Sequence, residues 1–175
     1  MNSGKVFEQQ FIKSLPDSFY KLRLHDSASS FGQDSKSVRF SMKSPFDFIL
    51  YHFPIMYCLE LKTTKSTSFS FERSKDEKKE IHYHQIQALK QAQSNNGIVA
   101  GLILDFRNGN TFFMSINDFY RFMDESSKKS INQDDCIKYG AILIDKWKLK
   151  INYKYNLEKL FSKIEGDKNG TFYSL

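Results

Sequence analysis

The stretch from Ile98 to Phe106 (Ile-Val-Ala-Gly-Leu-Ile-Leu-Asp-Phe) is apolar almost from end to end. A strand with one wet face alternates apolar and polar residues, so this run predicts a central strand covered on both faces. The segments around it supply the cover. Ser3 is placed to cap a helix in which Val6, Phe7, Phe11, Ile12 and Leu15 recur on one side until Pro16 stops it. Phe19 to Leu24 reads as a strand, His25 to Ser37 as a mobile loop, and Val38 to Met42 as a short strand, so that a mobile basic loop spans about 25–44. Phe46 to Tyr51 and Ile55 to Lys62 predict an antiparallel hairpin turning at His52-Phe53-Pro54. Arg73 to Glu80 is almost wholly charged and predicted exposed. Ile81 to Gln93 reads as a helix that ends at Asn95-Asn96-Gly97. Asn108-Gly109 turns the central strand into Thr111 to Ile116, Asn117 is placed to cap a helix through Glu125, and 126–135 is polar. Ala141 to Ile144 gives a further strand and Leu157 to Ile164 a last helix. The order predicts an α/β fold, a mixed sheet flanked by helices, with 1–175 as one domain.

The bulk composition narrows the function. The formal net charge of +6 favours a polyanionic partner over a neutral one. No segment has the length and apolarity of a bilayer-spanning helix, and Met1-Asn2-Ser3-Gly4-Lys5 lacks the apolar run of a secretory signal. Cys58 and Cys136 are too few for a disulfide framework and sit at no metal-ligand spacing. A cytoplasmic protein with reduced thiols and no membrane contact is the expectation.

The residues that carry chemistry are Asp47, Glu60, Leu61 and Lys62. Alternation along a strand sends Glu60 and Lys62 to one face, and the hairpin brings Asp47 alongside. Two carboxylates can hold one or two Mg²⁺ ions, hard cations that take oxygen ligands, with Mn²⁺ as a substitute. The lysine can orient or deprotonate a water and stabilise charge on a phosphorane, and the backbone carbonyl of Leu61 is a further candidate ligand. A structural ion pair on a charged strand would present the same string. Against that reading, Cys58, Leu59 and Leu61 surround Glu60 with apolar residues, a poor place for an idle charge.

Pro45-Phe46-Asp47, a gap and Glu60-Leu61-Lys62 resemble the PD-(D/E)xK nuclease pattern. The wider context is similar to the RecU-type Holliday junction resolvases. Thr67-Ser68-Phe69, His84-Gln85-Ile86, Asn96-Gly97-Ile98, Phe113 with Asp118-Phe119, Lys129-Ser130-Ile131 and Asn2-Ser3-Gly4 occur in the family's order. The resemblance implies a restriction-endonuclease-like fold and a homodimeric, Mg²⁺-dependent nuclease that nicks opposed strands of a four-way DNA junction. It implies that Asp47, Glu60 and Gln85 hold metal, that Lys62 stabilises the transition state and that Glu8 is an outer acid of the site. The chain departs from the family at Pro45, where the family has a threonine ligand, in a shorter loop before Asp47, and in extra charged residues around Glu77 to Glu80. These departures point to a divergent, phage-type relative.

Lys5, Lys36, Arg39, Lys43, Lys65, Arg73 and Lys75 are the candidate phosphate contacts, which position DNA without reading sequence. Phe112, Phe113, Phe119, Tyr120 and Phe122 are expected in the core rather than as stacking platforms. Trp147 and Tyr153 are expected in packing or dimer contacts. His82 and His84 would diverge on a helix, which argues against a zinc pair. Two other readings stand beside the resolvase: a related nuclease that cuts duplex or flap DNA, and a DNA-binding relative that has lost turnover.

Overall fold

The computed structural model describes residues 3–25, 27–30 and 39–172. Helix α1 (Ser3–Lys13) and strand β1 (Tyr20–Arg23) come first, followed by a small antiparallel pair, β2 (Ser27–Ser30) and β3 (Arg39–Met42). The segment expected as one loop therefore contains a strand. Serine-rich β2 has no apolar period of its own and is defined by its pairing with β3. Strands β4 (Phe48–His52) and β5 (Ile55–Thr64) form the expected hairpin, and β6 (Ser68–Ser70) follows. Helix α2 (Tyr83–Gln93) leads to β7 (Ile98–Phe106), β8 (Thr111–Ser115) and helix α3 (Ile116–Glu125). The chain continues through β9 (Ser130–Asn132), α4 (Gln133–Lys138), β10 (Ile142–Ile144), β11 (Lys146–Lys148) and β12 (Tyr153–Tyr155) to α5 (Leu157–Phe172).

The main sheet has six strands in the order β1-β4-β5-β7-β8-β10. Only β5 and β7 run parallel; every other neighbouring pair is antiparallel. The apolar run thus lies in the middle of the sheet, and every residue of β7 after Ile98 is buried. One face packs Leu59, Leu61 and Ile103 against Phe7 and Phe11 of α1 and Leu160 and Phe161 of α5. The other packs Cys58, Ala100, Leu102 and Leu104 against Ile86 and Leu89 of α2 and Phe119 and Phe122 of α3. Each buried Leu, Ile or Phe among these contributes about 1.5–3 kcal/mol of transfer free energy. Phe112 and Phe113 are core, as expected. Burial pushes the Cys58 thiol up to about 11 and the Cys136 thiol up to about 12, so both stay protonated and unreactive.

The caps differ from the expected ones. Ser115, not Asn117, caps α3 by accepting the Asp118 N–H. Helix α2 begins at Tyr83, because Ile81 is held in a bridge to Phe71 and His82 becomes the N-cap. Asn132 and Asp135 form a capping box that starts α4 within the stretch expected to be only polar. At the end of the loop after α2, Gly97 takes φ +78°, which a side chain would resist. Tyr153 packs against the core, whereas Trp147 is largely exposed.

Candidate active site

The hairpin register builds the site. Phe48 pairs with Leu59, which sets Asp47 opposite Glu60 one step beyond the end of β4. The Asp47 N–H donates to the Leu59 carbonyl at 3.1 Å, and the Leu24 N–H donates to the Asp47 carbonyl at 2.8 Å. The side chain is fixed as well, since Oδ2 accepts the Leu61 N–H at 2.8 Å. Glu60 and Lys62 alternate with buried Leu59 and Leu61, so both emerge on the α2 face of the sheet.

Glu60 is 2% exposed. Its Oε1 accepts from Lys62 Nζ at 2.9 Å and from Gln85 Nε2 at 2.6 Å. Its Oε2 is buried and has no hydrogen-bond partner among the described residues. Burial, reinforced by the Asp47 charge and opposed by Lys62, pushes the carboxyl up to about 7. Burial also raises Asp47, with the Leu61 N–H working against that shift and Glu8 adding to it. Two desolvated carboxylates side by side, one of them with an unused oxygen, form a donor set that a divalent cation would stabilise.

Helix α2 delivers Gln85 from the far side. Its Oε1 accepts the His82 N–H at 3.1 Å in the capping box, while Nε2 faces Glu60. The turn is fixed by Glu72, which is buried. Its oxygens accept from His82 Nδ1 at 2.9 Å, the Tyr83 N–H at 2.7 Å and the Lys79 N–H at 3.1 Å. Burial works against the charged form of Glu72, but these donors outweigh it and hold the carboxyl at about 2.

A cleft of about 350 Å³ gathers Glu8, Lys43, Asp47, Glu60, Lys62 and Gln85. These are the expected acids, lysine and glutamine, brought together from α1, the segment before β4, β5 and α2. Leu61 lines it too. Lys5 lies in an adjoining pocket with Glu8 and Arg23, and Lys65 is exposed outside the cleft. Arg39 begins β3, and Lys36 lies outside the described residues. Arg73 is not available to phosphate: its guanidinium donates to the carbonyls of Met123, Ser126 and Lys128 and sits over the Phe71 ring. Spacing alone could not show this, because its partners are about fifty residues further on.

Residues that the sequence did not single out also line the cleft. Arg23 donates from both Nε and Nη2 to Glu8 Oε2 and contacts His25 Nδ1 at 2.9 Å, so it ties α1 to β1 at the rim. The His82 and His84 rings stack at 5.6 Å rather than diverging, because His82 precedes the helix. Among the described residues no three His, Cys, Asp or Glu side chains gather as a metal cage. The donor set is instead two carboxylates, with the Gln85 amide facing Glu60 through its nitrogen and Leu61 lining the same cleft; oxygen donors of this kind suit a hard, partly hydrated ion more than zinc.

The sequence model of RecU, recombination protein U, matches residues 19–159. The chain belongs to the RecU family. The RecU-type chain is 30% identical over 174 residues to the SPbeta prophage-derived uncharacterized protein YotM of Bacillus subtilis (strain 168), covering 91% of this chain and 85% of that protein. It is also 30% identical over 104 residues to the Holliday junction resolvase RecU of Bacillus pumilus (strain SAFR-032), covering 58% of this chain and 47% of that protein. Among solved structures it matches Archaeoglobus fulgidus Hjc, a Holliday junction resolvase from an archaeal hyperthermophile. The TM-score is 0.50 at 12% identity, with 79% of this chain and 93% of Hjc covered. At that identity the match establishes a shared fold, the restriction-endonuclease-like mixed sheet flanked by helices.

Proposed function

We propose that this RecU-family protein is a Mg²⁺-dependent endonuclease that resolves four-way DNA junctions by paired nicks in recombination and repair. The observation that carries this reading is the pairing of Asp47 and Glu60 by hairpin register, with Glu60 Oε2 buried and unpartnered beside Lys62. Asp47, Glu60, the Leu61 carbonyl and Gln85 would hold the cation, with Mn²⁺ able to replace Mg²⁺. Ligation by Gln85 would use the amide oxygen, which now accepts the His82 N–H, so the amide would turn over. Bound there, the metal would supply Lewis acidity and a water of lowered pKa.

The chain's own residues do the rest. Asp47, locked by the Leu61 N–H, orients the attacking water. Lys62 shifts from Glu60 toward the scissile phosphate and stabilises the charge that develops there. Glu8, held by Arg23 at the cleft mouth, would take up the proton that the attacking water gives up as the phosphodiester P–O bond breaks and the leaving oxygen is protonated from solvent. The protein acts in the cytoplasm as a homodimer, since two sites related by a twofold axis match the symmetry of a junction and give the paired nicks. No helix among the described residues is long and apolar enough to cross a membrane. The prophage-derived relative is consistent with a phage origin for this branch.

The test is cleavage of an end-labelled four-way junction and a matched linear duplex with Mg²⁺. Symmetric nicks in the junction alone are expected. Equal cutting of the duplex would leave a nuclease without junction selectivity, and binding without nicks would remove the enzyme reading.

A further inference from the structure

The catalytic cleft does not end at Gln85. A second, larger groove of about 850 Å³ shares Lys43, His82 and His84 with it and continues over the first turn of α2. Its outer wall is drawn from the charged segment 74–80, through Lys75, Glu77 and Lys78. That segment is held in place. The Glu77 carboxylate accepts the Arg73 N–H and pairs with Lys129, and buried Glu72 accepts the Lys79 N–H. Glu77 and the neighbouring Glu72 are thus engaged inside the structure, and Glu80 accepts from Ser70, while Lys75 and Lys78 line the groove and are exposed, with exposed Asp76 between them in the chain. Tyr83 and His84 form the floor.

Resting on the nuclease reading above, we infer that this groove seats the DNA strand being cut. Lys75 and Lys78 would contact the backbone phosphates on one side of the scissile bond, while Lys43 and His84 would guide the strand into the cleft. Two observations support this occupant. The groove is continuous with the carboxylate site, so a strand whose phosphate reaches Glu60 must leave the cleft along some wall. The cations facing the groove, Lys43, Lys75 and Lys78, have no partner acid within salt-bridge distance among the described residues, whereas Glu72 and Glu77 are committed. The charged segment is then a substrate-binding wall, not a solvated surface loop.

The experiment uses the full chain with Ca²⁺ in place of Mg²⁺, and measures DNA affinity across a salt series for wild type and Lys75→Glu/Lys78→Glu. A control of equal charge change, Lys159→Glu/Lys163→Glu, lies on α5 in the opposite layer. Each phosphate contact contributes about 0.9 to the slope of log K against log salt, so losing two should reduce it by roughly 2. The groove variant is expected to lose that slope and at least tenfold in affinity, while the control stays near wild type. Placing a neutral methylphosphonate at successive positions beside the cut should weaken wild type on one side only and leave the groove variant indifferent. Equal losses in both charge variants, or a groove variant with wild-type slope, would overturn the strand path and leave the nuclease assignment standing. Failure of wild type to bind any DNA would overturn both.

Discussion

Glu60 and Glu72 are both buried carboxylates within reach of the first turn of α2, 2% and 6% exposed, yet they behave as opposites. Glu72 receives a ring N–H and two backbone N–H groups and is held at about 2. Glu60 shares one oxygen between Lys62 and Gln85, leaves the other unpartnered, and is pushed up to about 7. Burial alone therefore does not mark a functional acid. A carboxylate satisfied by several N–H donors fastens the chain, whereas one left short of donors has energy to gain from a cation. The two are linked, because Glu72 fixes the turn that presents Gln85 to Glu60.

The largest expected effect is at the cation beside Glu60. Lys62→Met should lower junction cleavage by on the order of 10²–10³-fold while changing junction affinity little, as read by single-turnover kinetics. Similar loss of binding and cleavage would make Lys62 a DNA contact instead. Next is Glu72→Ala, which strips acceptors from His82, Tyr83 and Lys79. It should cost about 2–4 kcal/mol in urea unfolding and reduce cleavage through a displaced Gln85. Because the folded carboxyl is held below its unfolded value, this stabilisation is fully present above pH ~4.5 and lost as pH falls toward 2. The gap between wild type and variant should close over that range.

Glu60 should give the opposite sign. Its folded carboxyl is raised, so without metal the penalty is absent below pH ~4.5 and grows as pH rises toward 7. Metal-free Glu60→Gln should match wild type at pH 4.5 and be about 1–3 kcal/mol more stable at pH 8. Added Mg²⁺ should raise the melting temperature of wild type more at pH 8 than at pH 5.5 and leave the variant unmoved. A variant less stable than wild type at pH 8 would place Glu60 in the same class as Glu72. The smallest effect is expected at Arg23→Ala. The Arg23–Glu8 pair is partly exposed, so stability should change by under about 1 kcal/mol, with cleavage down less than tenfold.

The candidate-site half of this comparison was readable in the sequence because its parts are local and periodic. A hairpin with alternating residues puts Asp47 opposite Glu60 and Lys62 on the same face, and the apolar run at Ile98 to Phe106 locates the sheet centre. The structural half was hidden. Glu72 precedes a charged segment with no period, and its partners lie across that segment on His82 and Tyr83. Arg73 resembled a phosphate contact until the carbonyls of Met123, Ser126 and Lys128 took its donors. The three-residue strands β6, β9, β11 and β12 are too short to show alternation; β6 and β9 are defined by pairing with each other across distant chain, β11 and β12 by a short local hairpin. Some signals were present but outweighed. Ser115 stands three residues before Asp118, and Asn132 three before Asp135, the spacing of helix caps.

The central claim is that Glu60 is held for a metal and not for the fold. The direct measurement is cleavage of a four-way junction by wild type and Glu60→Gln with Mg²⁺, alongside junction binding by both with Ca²⁺. Paired nicks from wild type, lost by on the order of 10³-fold in a folded variant that still binds the junction, are predicted. A Glu60→Gln protein that nicks at the wild-type rate would contradict it.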